Sequence, residues 1–417
     1  MMLSRKKKAV FLGGALSLVL VGTELILQLL AMVSPTVDRH LSRVRVIEPI
    51  VDDDRLGWRP NPDDPEHDAR GFRNCAVPAA VTIVALGDSN TYGTNVEREQ
   101  AWPQQLERLS GHATYNMACG GYGPVHGLLL TAEAHAFGPA VVIDAFYAGN
   151  DLYDAYSLVY DNNMAPELRS SDPAVLERIA EAERTEPLQQ RIERVFLGGA
   201  VPTEPPPATH GPVRDLLARR SKVYGLLRLA KHVYTSRHID PAVLAPPTWA
   251  DRRHQARQHP EYFEILEQDD LRTVLTPTYR AVAVDLSDAR IAEGHRLCLD
   301  AMRAMARQAA ARNIRFVVLG IPTKELVYKE AAERAPGGLP ATMAALVENE
   351  ERLWRKTRRF LADAGIPFFD ALPALRAGLD ADASPYAMSS DGHPRAAGHR
   401  ILANLVWSGI QEQGLLD

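Results

Sequence analysis

Between Val81 and Gly93 the chain reads Val-Thr-Ile-Val-Ala-Leu-Gly-Asp-Ser-Asn-Thr-Tyr-Gly, an apolar and largely β-branched run that stops at Gly-Asp-Ser. A short, continuous apolar run without Gly or Pro is the pattern of a strand covered on both faces, as in a parallel sheet. Gly87 frees the backbone for a tight turn. Ser89 then stands at the carboxyl end of a buried strand, where open α/β sheets place their ligands, beside the unpaired N–H groups of the helix expected to follow. Taken alone, Gly-Asp-Ser is also an ordinary turn with Asp88 or Ser89 as an N-cap. What stands at the ends of the later strands decides between the two.

The pattern predicts helix over Trp102–Leu109, ended by Gly111, strand over Ala113–Met117, helix over Gly127–Ala136 and a buried strand over Ala140–Tyr147. After Asp151 the alternation breaks. Residues 152–285 carry charged helical pieces and the proline-rich stretch Val201–Pro212, and read as a mostly helical, cap-like insertion beside the site. Alternation resumes with Ser287 as the expected N-cap of a helix running to about Arg312, closed by Asn313. A strand over Ile314–Ile321, a helix over Ala341–Ala364 ended by Gly365, and a last strand over Ile366–Phe369 complete the pattern. Strand starts at Val81, Ala113, Ala140, Ile314 and Ile366 predict an α/β domain, residues 81–417, with a five-stranded parallel sheet and right-handed crossovers.

Three further blocks sit at the ends of these elements: Asn116-Met-Ala-Cys-Gly-Gly-Tyr-Gly123, Ala148-Gly-Asn-Asp151 and Asp391-Gly-His-Pro394. With Gly87-Asp-Ser89 they resemble, in order, the four blocks of the GDSL/SGNH hydrolase family. The resemblance implies a flavodoxin-like strand order, Ser89 as nucleophile, and His393 and Asp391 as the other members of a catalytic triad. It also implies an oxyanion hole made by Ser89, Gly121 and Asn150, with Gly120 adjacent to the matching glycine. Two departures stand out. Ala148 replaces the usual glycine of the third block, and Asp391 lies two residues before His393 instead of three, with Ser390 in the usual place. The two-residue spacing puts the orienting role of Asp391 under test more than the role of His393.

The chemistry implied is acyl transfer, because a serine hydroxyl becomes a useful nucleophile when an imidazole takes its proton and a carboxylate holds that imidazole in one tautomer. Asp88 and Asp151 are expected to fix the site loops. His399, six residues after His393, is the competing base but falls in a helix-like segment and is expected to pack or cap. After the fourth strand, Ile321-Pro-Thr-Lys-Glu-Leu-Val-Tyr328 bears a weak similarity to alginate O-acetyltransferase-like proteins, which makes Lys324 and Tyr328 supporting candidates; four apart on a short helix, they are equally well surface residues.

At the other end, Arg5-Lys-Lys-Lys8 forms a basic tail, residues 1–8, before an apolar run over Ala9–Val33, about 25 residues and thus long enough for a tilted membrane span. The basic cluster predicts a cytoplasmic tail and an extracytoplasmic domain, in the periplasm or at the cell surface. A cleavable signal peptide is the rival, with a shorter apolar core and a small-x-small site that Ala31-Met-Val33 does not supply. Glu24 inside the run is costly in lipid and marks a helix partner or a protein-facing side. Residues 34–80, rich in Pro, Asp and Arg, read as an extended connector on which Trp58 and Phe72 pack against the domain surface and do not bind substrate. A basic amphipathic stretch over Val213–Arg237 reads as a cap helix with a solvated face, or as a surface-lying helix.

A net charge of -5 with 24% charged residues leaves no basic footprint for nucleic acid. Cys75, Cys119 and Cys298 allow at most one disulfide. Neither a phosphate-binding glycine loop nor a cysteine/histidine metal spacing occurs, so no cofactor and no metal are called for. The chain reads as a membrane-anchored serine esterase acting on O-acylated cell-envelope glycans or another ester. The alternatives are an O-acyltransferase of exported polysaccharide using the same acyl-enzyme, and a non-catalytic glycan-assembly or binding protein.

Overall fold

In the computed structural model, residues 5–33, 49–197, 221–224, 226, 247–268, 270–380 and 384–416 are described. The chain divides into two compact units, residues 1–49, 63–65 and 203–246 in one, and residues 50–62, 66–202 and 247–417 in the other.

In the first unit Arg5–Val33 is one helix. Its Glu24 accepts hydrogen bonds from Ser221 Oγ and from the backbone N–H groups of Lys222 and Val223, at 2.8, 2.9 and 2.9 Å, so this carboxylate has found a helical partner. Among the described residues no helix is long and apolar enough to cross a membrane, and the expected span is not confirmed. The proline-rich stretch 201–212, most of 213–237 and the connector 34–48 lie outside the described residues.

The second unit is built on a parallel sheet of β3 (Ile83–Leu86), β4 (Thr114–Asn116), β5 (Val141–Tyr147), β8 (Arg315–Ile321) and β9 (Phe368–Asp370), in the order β4-β3-β5-β8-β9. This is the flavodoxin-like order, with its switch point between β3 and β5. The long helix Ala289–Ala310 buries Leu297, Met302, Met305 and Ala309. Its N-cap is Asp288, which accepts from Arg290 N, and not Ser287. Ser287 is instead held outside the helix by Asp285, to which both its N–H and its hydroxyl donate. Asn313 ends the connection with φ 56, as the left-handed geometry of a helix exit requires. The helix Pro124–His135 starts three residues before the expected Gly127, with Pro124 in its first turn, where a missing N–H costs nothing.

Two regions differ from the sequence expectation. The connector is folded, not simply extended: β1 (Ile50–Asp53) and β2 (Gly57–Pro60) form an antiparallel pair, and Leu56 and Phe72 are buried in the core. Asn74 exchanges two hydrogen bonds with the backbone of Asn116, and Tyr115 Oη donates to Asp68, which covers the edge strand β4. The insertion is not all helix either. Between the helices Trp249–Gln258 and Pro277–Ala283 it contains the antiparallel pair β6 (Glu264–Gln268) and β7 (Leu271–Leu275).

Candidate active site

The site forms at the carboxyl ends of β3, β4 and β5, where the turns carrying the sequence blocks meet. Gly87 has φ 148, and a side chain there would collide with Thr91 Oγ1, so glycine alone permits this turn. Asp88 caps the short helix Ser89–Tyr92: its carboxylate accepts from Asn90 N and Asn90 Nδ2, both at 2.9 Å, and lies 3.4 Å from Ser89 Oγ. Burial pushes the Asp88 carboxyl up from its ordinary range, against the hydrogen bonds from Asn90. Asn116 ties the second block to the first, since its Nδ2 donates to Thr91 O at 2.9 Å.

His393 Nε2 lies 2.9 Å from Ser89 Oγ, and His393 Nδ1 lies 2.6 Å from Asp391 Oδ1. The same carboxylate oxygen also accepts the backbone N–H of His393 at 2.9 Å. That second bond is what the two-residue spacing makes available: an Asx-type turn aims the carboxylate at its own histidine. Burial alone raises a carboxyl's pKa, but the hydrogen bonds and charge of His393, with Lys324 beyond, hold Asp391 below its ordinary value. Asn95, which the sequence did not single out, donates from Nδ2 to Asp391 Oδ2. His399 is fully buried and accepts from Trp102 N at 3.2 Å, and burial pushes its pKa down to about 3. It packs, as its helical setting implied.

Gly121 has φ 77, and Trp58 reaches over this loop: a side chain on Gly121 would approach the indole at 3.1 Å, and Trp58 Nε1 donates to Gly120 O at 3.3 Å. Asn150 stands at the N-cap of Asp151–Tyr156 and donates from Nδ2 to Asp154 Oδ2 at 2.6 Å. One N–H of that amide is therefore committed to Asp154, which burial pushes up to about 8. Asp151 is fully buried and accepts the N–H of Tyr147 at 2.9 Å, which fixes the turn after β5.

Two residues outside the four sequence blocks, Lys324 and Arg280, reach these loops. Lys324 Nζ donates to the carbonyls of Ala387, Ser389 and Asp391. Arg280, from the end of the insertion, donates from Nη1 to Gly149 O at 2.9 Å. Glu325 accepts from Thr276 and stands 4.0 Å from Arg280 Nε. Tyr328 is also buried, with its hydroxyl 2.9 Å from Ser384 Oγ, so neither Lys324 nor Tyr328 is a surface residue. The sequence carried no sign of Asn95 or Arg280, since only tertiary contact gives them a partner.

All three cysteines are free, Cys119 and Cys298 buried and Cys75 exposed. Among the described residues no group of His, Cys, Asp or Glu is arranged to hold a metal ion. A cavity of about 880 Å³, lined by Ala140, Arg303, Ile314 and Leu416, lies at the amino ends of β5 and β8, the edge opposite Ser89.

No protein-family model matches the sequence, and no curated protein matches it. Solved structures similar to the chain include an extracellular lipase from Streptomyces rimosus, 14% identical, with 79% of this chain and 100% of that one covered at a TM-score of 0.36. Phospholipase A1 from Streptomyces albidoflavus NA297 is 12% identical, with 79% and 100% covered at a TM-score of 0.35. A lipolytic protein of the G-D-S-L family from Desulfitobacterium hafniense DCB-2 is 12% identical, with 79% and 99% covered at a TM-score of 0.29. All three are lipolytic proteins by their descriptions, and the one from Desulfitobacterium hafniense is described as of the G-D-S-L family. The roles of its residues rest on its own side chains.

Proposed function

We propose that the chain is a GDSL/SGNH-type serine esterase in which Ser89 is the nucleophile, His393 the general base and Asp391 the group that orients it. The observation that carries this reading is the hydrogen-bonded line Asp391–His393–Ser89, at 2.6 and 2.9 Å, assembled from two blocks far apart in the chain. His393 Nε2 takes the Ser89 proton as Oγ attacks the ester carbonyl, and the imidazolium returns that proton to the departing alcohol. The carbonyl oxygen, negative in the tetrahedral intermediate, meets the N–H groups of Ser89 and Gly121 and the Asn150 N–H not used by Asp154. His393 then activates a water, which releases the acid and frees Ser89.

On this reading Ala9–Val33, within the helix Arg5–Val33, is a single membrane anchor with the catalytic domain outside the cytoplasm. The basic cluster before it supports this, as do Leu18, Val19, Leu25, Ile26 and Leu29, exposed along the helix. An anchored, exported esterase meets surface polymers, and O-acylated envelope glycans are the substrate class we assign.

The test is covalent labelling of the full-length chain with a fluorophosphonate. Labelling at Ser89, lost in Ser89→Ala and His393→Ala, is the expected result; unchanged labelling of Ser89→Ala would return the chain to the glycan-binding reading. With a nitrophenyl ester and candidate oligosaccharides, mass spectrometry then follows free acid and acylated sugar separately. Acylated sugar would convert the esterase into a transferase working through the same acyl-enzyme.

A further inference from the structure

Lys324 is fully buried, an arrangement costly for an ammonium unless its donors are satisfied. Its stem is rigid. Thr323 caps the helix Lys324–Val327 and is itself pinned by Glu350, whose carboxylate accepts from Thr323 N at 2.9 Å and from Thr323 Oγ1 at 2.5 Å. From that base Nζ points at four backbone carbonyls: Val274 at 3.3 Å, Ala387 at 2.9 Å, Ser389 at 2.6 Å and Asp391 at 3.2 Å. Among the described residues no carboxylate pairs with it: Glu325 turns to Thr276, and the Asp391 side chain turns to His393 and Asn95. Three of the four acceptors lie between 387 and 391, the stretch that runs directly into His393. Asp391 is therefore gripped at both ends, its carbonyl by Lys324 and its carboxylate by His393.

We propose that Lys324 is a positioning residue for the acid–base loop: its ammonium fixes the backbone of Ala387–Asp391 and thereby holds Asp391 and His393 in line with Ser89. The proposal rests on the Ser89–His393–Asp391 reading above. Lys324 touches no reacting atom; it acts by denying the loop the small displacement that a proton relay does not tolerate, since about 1 Å of misplacement costs on the order of a hundredfold in rate.

The charged groups around Nζ are Glu325 and Asp391, which favour its charged form, and Arg280 and Arg252, which oppose it, with the Tyr328 ring centroid at 6.0 Å. Burial dominates and pushes the Lys324 pKa down to about 8. A deprotonated amine keeps two N–H donors and turns a lone pair toward carbonyl oxygens, so the loop loses its hold as pH rises through that value. The effect on stability has the opposite sign. With the folded pKa near 8 and the ordinary value at 10.5, the unfolded chain holds more protons between them, and the stability contribution of this group rises with pH across that window. A rate that falls there is not unfolding.

The experiment measures fluorophosphonate labelling of Ser89 and nitrophenyl ester turnover for the full-length wild type and for Lys324→Met, which keeps the volume and removes the donors, from pH 7 to 9.5. Lys324→Met is expected to lower kcat and the labelling rate by about tenfold to a hundredfold at pH 7, with KM moved by less than about threefold. The wild type is expected to lose about tenfold in rate per pH unit above the Lys324 pKa, a limb the variant lacks. Equal labelling rates for the two proteins, or the same alkaline limb in both, would overturn the role of Lys324 while leaving the esterase reading in place; absence of labelling in the wild type would remove both. Should Lys324→Met fail to fold, Lys324→Gln is measured in its place: a labelling rate equal to that of the wild type, in protein that circular dichroism shows to be folded, overturns the proposal.

Discussion

The nucleophile turn and the base loop meet at one hydrogen bond, yet they differ in how much of their support is local. The turn Gly87–Gly93 carries a local frame, with Asp88 capping Asn90 and Gly93 N closing back on Ser89 O, and Asn116 and Arg73 donate to its carbonyls from outside. Within the loop 387–393 Asp391 is bonded to its own His393, and donors distant in sequence, Lys324, Thr273 and Asn95, hold the rest. Local support makes a turn that folds with its strand. Distant support makes a geometry that exists only once the whole edge of the sheet is assembled.

The sharpest way to break this comparison is at the local bond of the base loop. Asp391→Asn keeps the shape but offers His393 Nδ1 an amide that stabilises the wrong tautomer, and turnover is expected to fall by about a thousandfold to ten-thousandfold. Steady-state kinetics on a soluble ester measure it. A loss below about tenfold would mean that the shortened spacing has moved the orienting role to another group.

A smaller effect is expected at Asn95. Its bond to Asp391 is solvent-exposed, so Asn95→Ala is expected to slow the labelling of Ser89 by about threefold to tenfold, the equivalent of about one ordinary hydrogen bond, with no change in melting temperature. The capped nucleophile turn behaves differently. Asp88→Ala removes a helix cap and is expected to lower stability by about 0.5 to 2 kcal/mol together with the labelling rate. Denaturant melts run beside the labelling separate the cases: activity lost alone in the loop, activity and stability lost together in the turn. If Asn95→Ala melts earlier as well, the loop is not held separately from the fold.

The same contrast explains what the sequence disclosed. β3, β5 and β8 were legible because their apolar runs are buried on both faces, which local composition records. Ser89, Asn150 and His393 could be named as candidates because each stands in a short block with its own turn residues. Asn95 and Arg280 left no trace, since an isolated polar residue in a loop looks the same whether it meets solvent or a carboxylate. The connector failed for a related reason. Its fold depends on Asp68 and Asn74 finding Tyr115 and Asn116, and polar residues that pair only across the fold read as a linker. The β6/β7 pair was hidden by the charges that flank it, which suit a solvated helix as well as an exposed hairpin.

Asp144 carries the comparison to its limit, as a carboxyl on β5 that neither its own turn nor a distant donor supports. It is fully buried, and among the described residues neither oxygen has a hydrogen-bond partner. Burial pushes its pKa up to about 7 from 3.8, so the folded state binds more protons than the unfolded state between those values. Stability from this group is fully present below the lower value and is lost as pH rises toward the higher one. Asp151 and Asp154 nearby are shifted up as well, so Asp144 supplies one share of the slope. Asp144→Asn removes the titration while keeping the shape. At pH 8 the variant is expected to melt a few degrees above the wild type, and at pH 5 the gap should shrink or reverse. Calorimetry or circular dichroism across that range measures both. Parallel melting curves for the two proteins would mean that Asp144 reaches a partner or solvent after all, and that a carboxyl on this edge, like the two loops beside it, is always held by something.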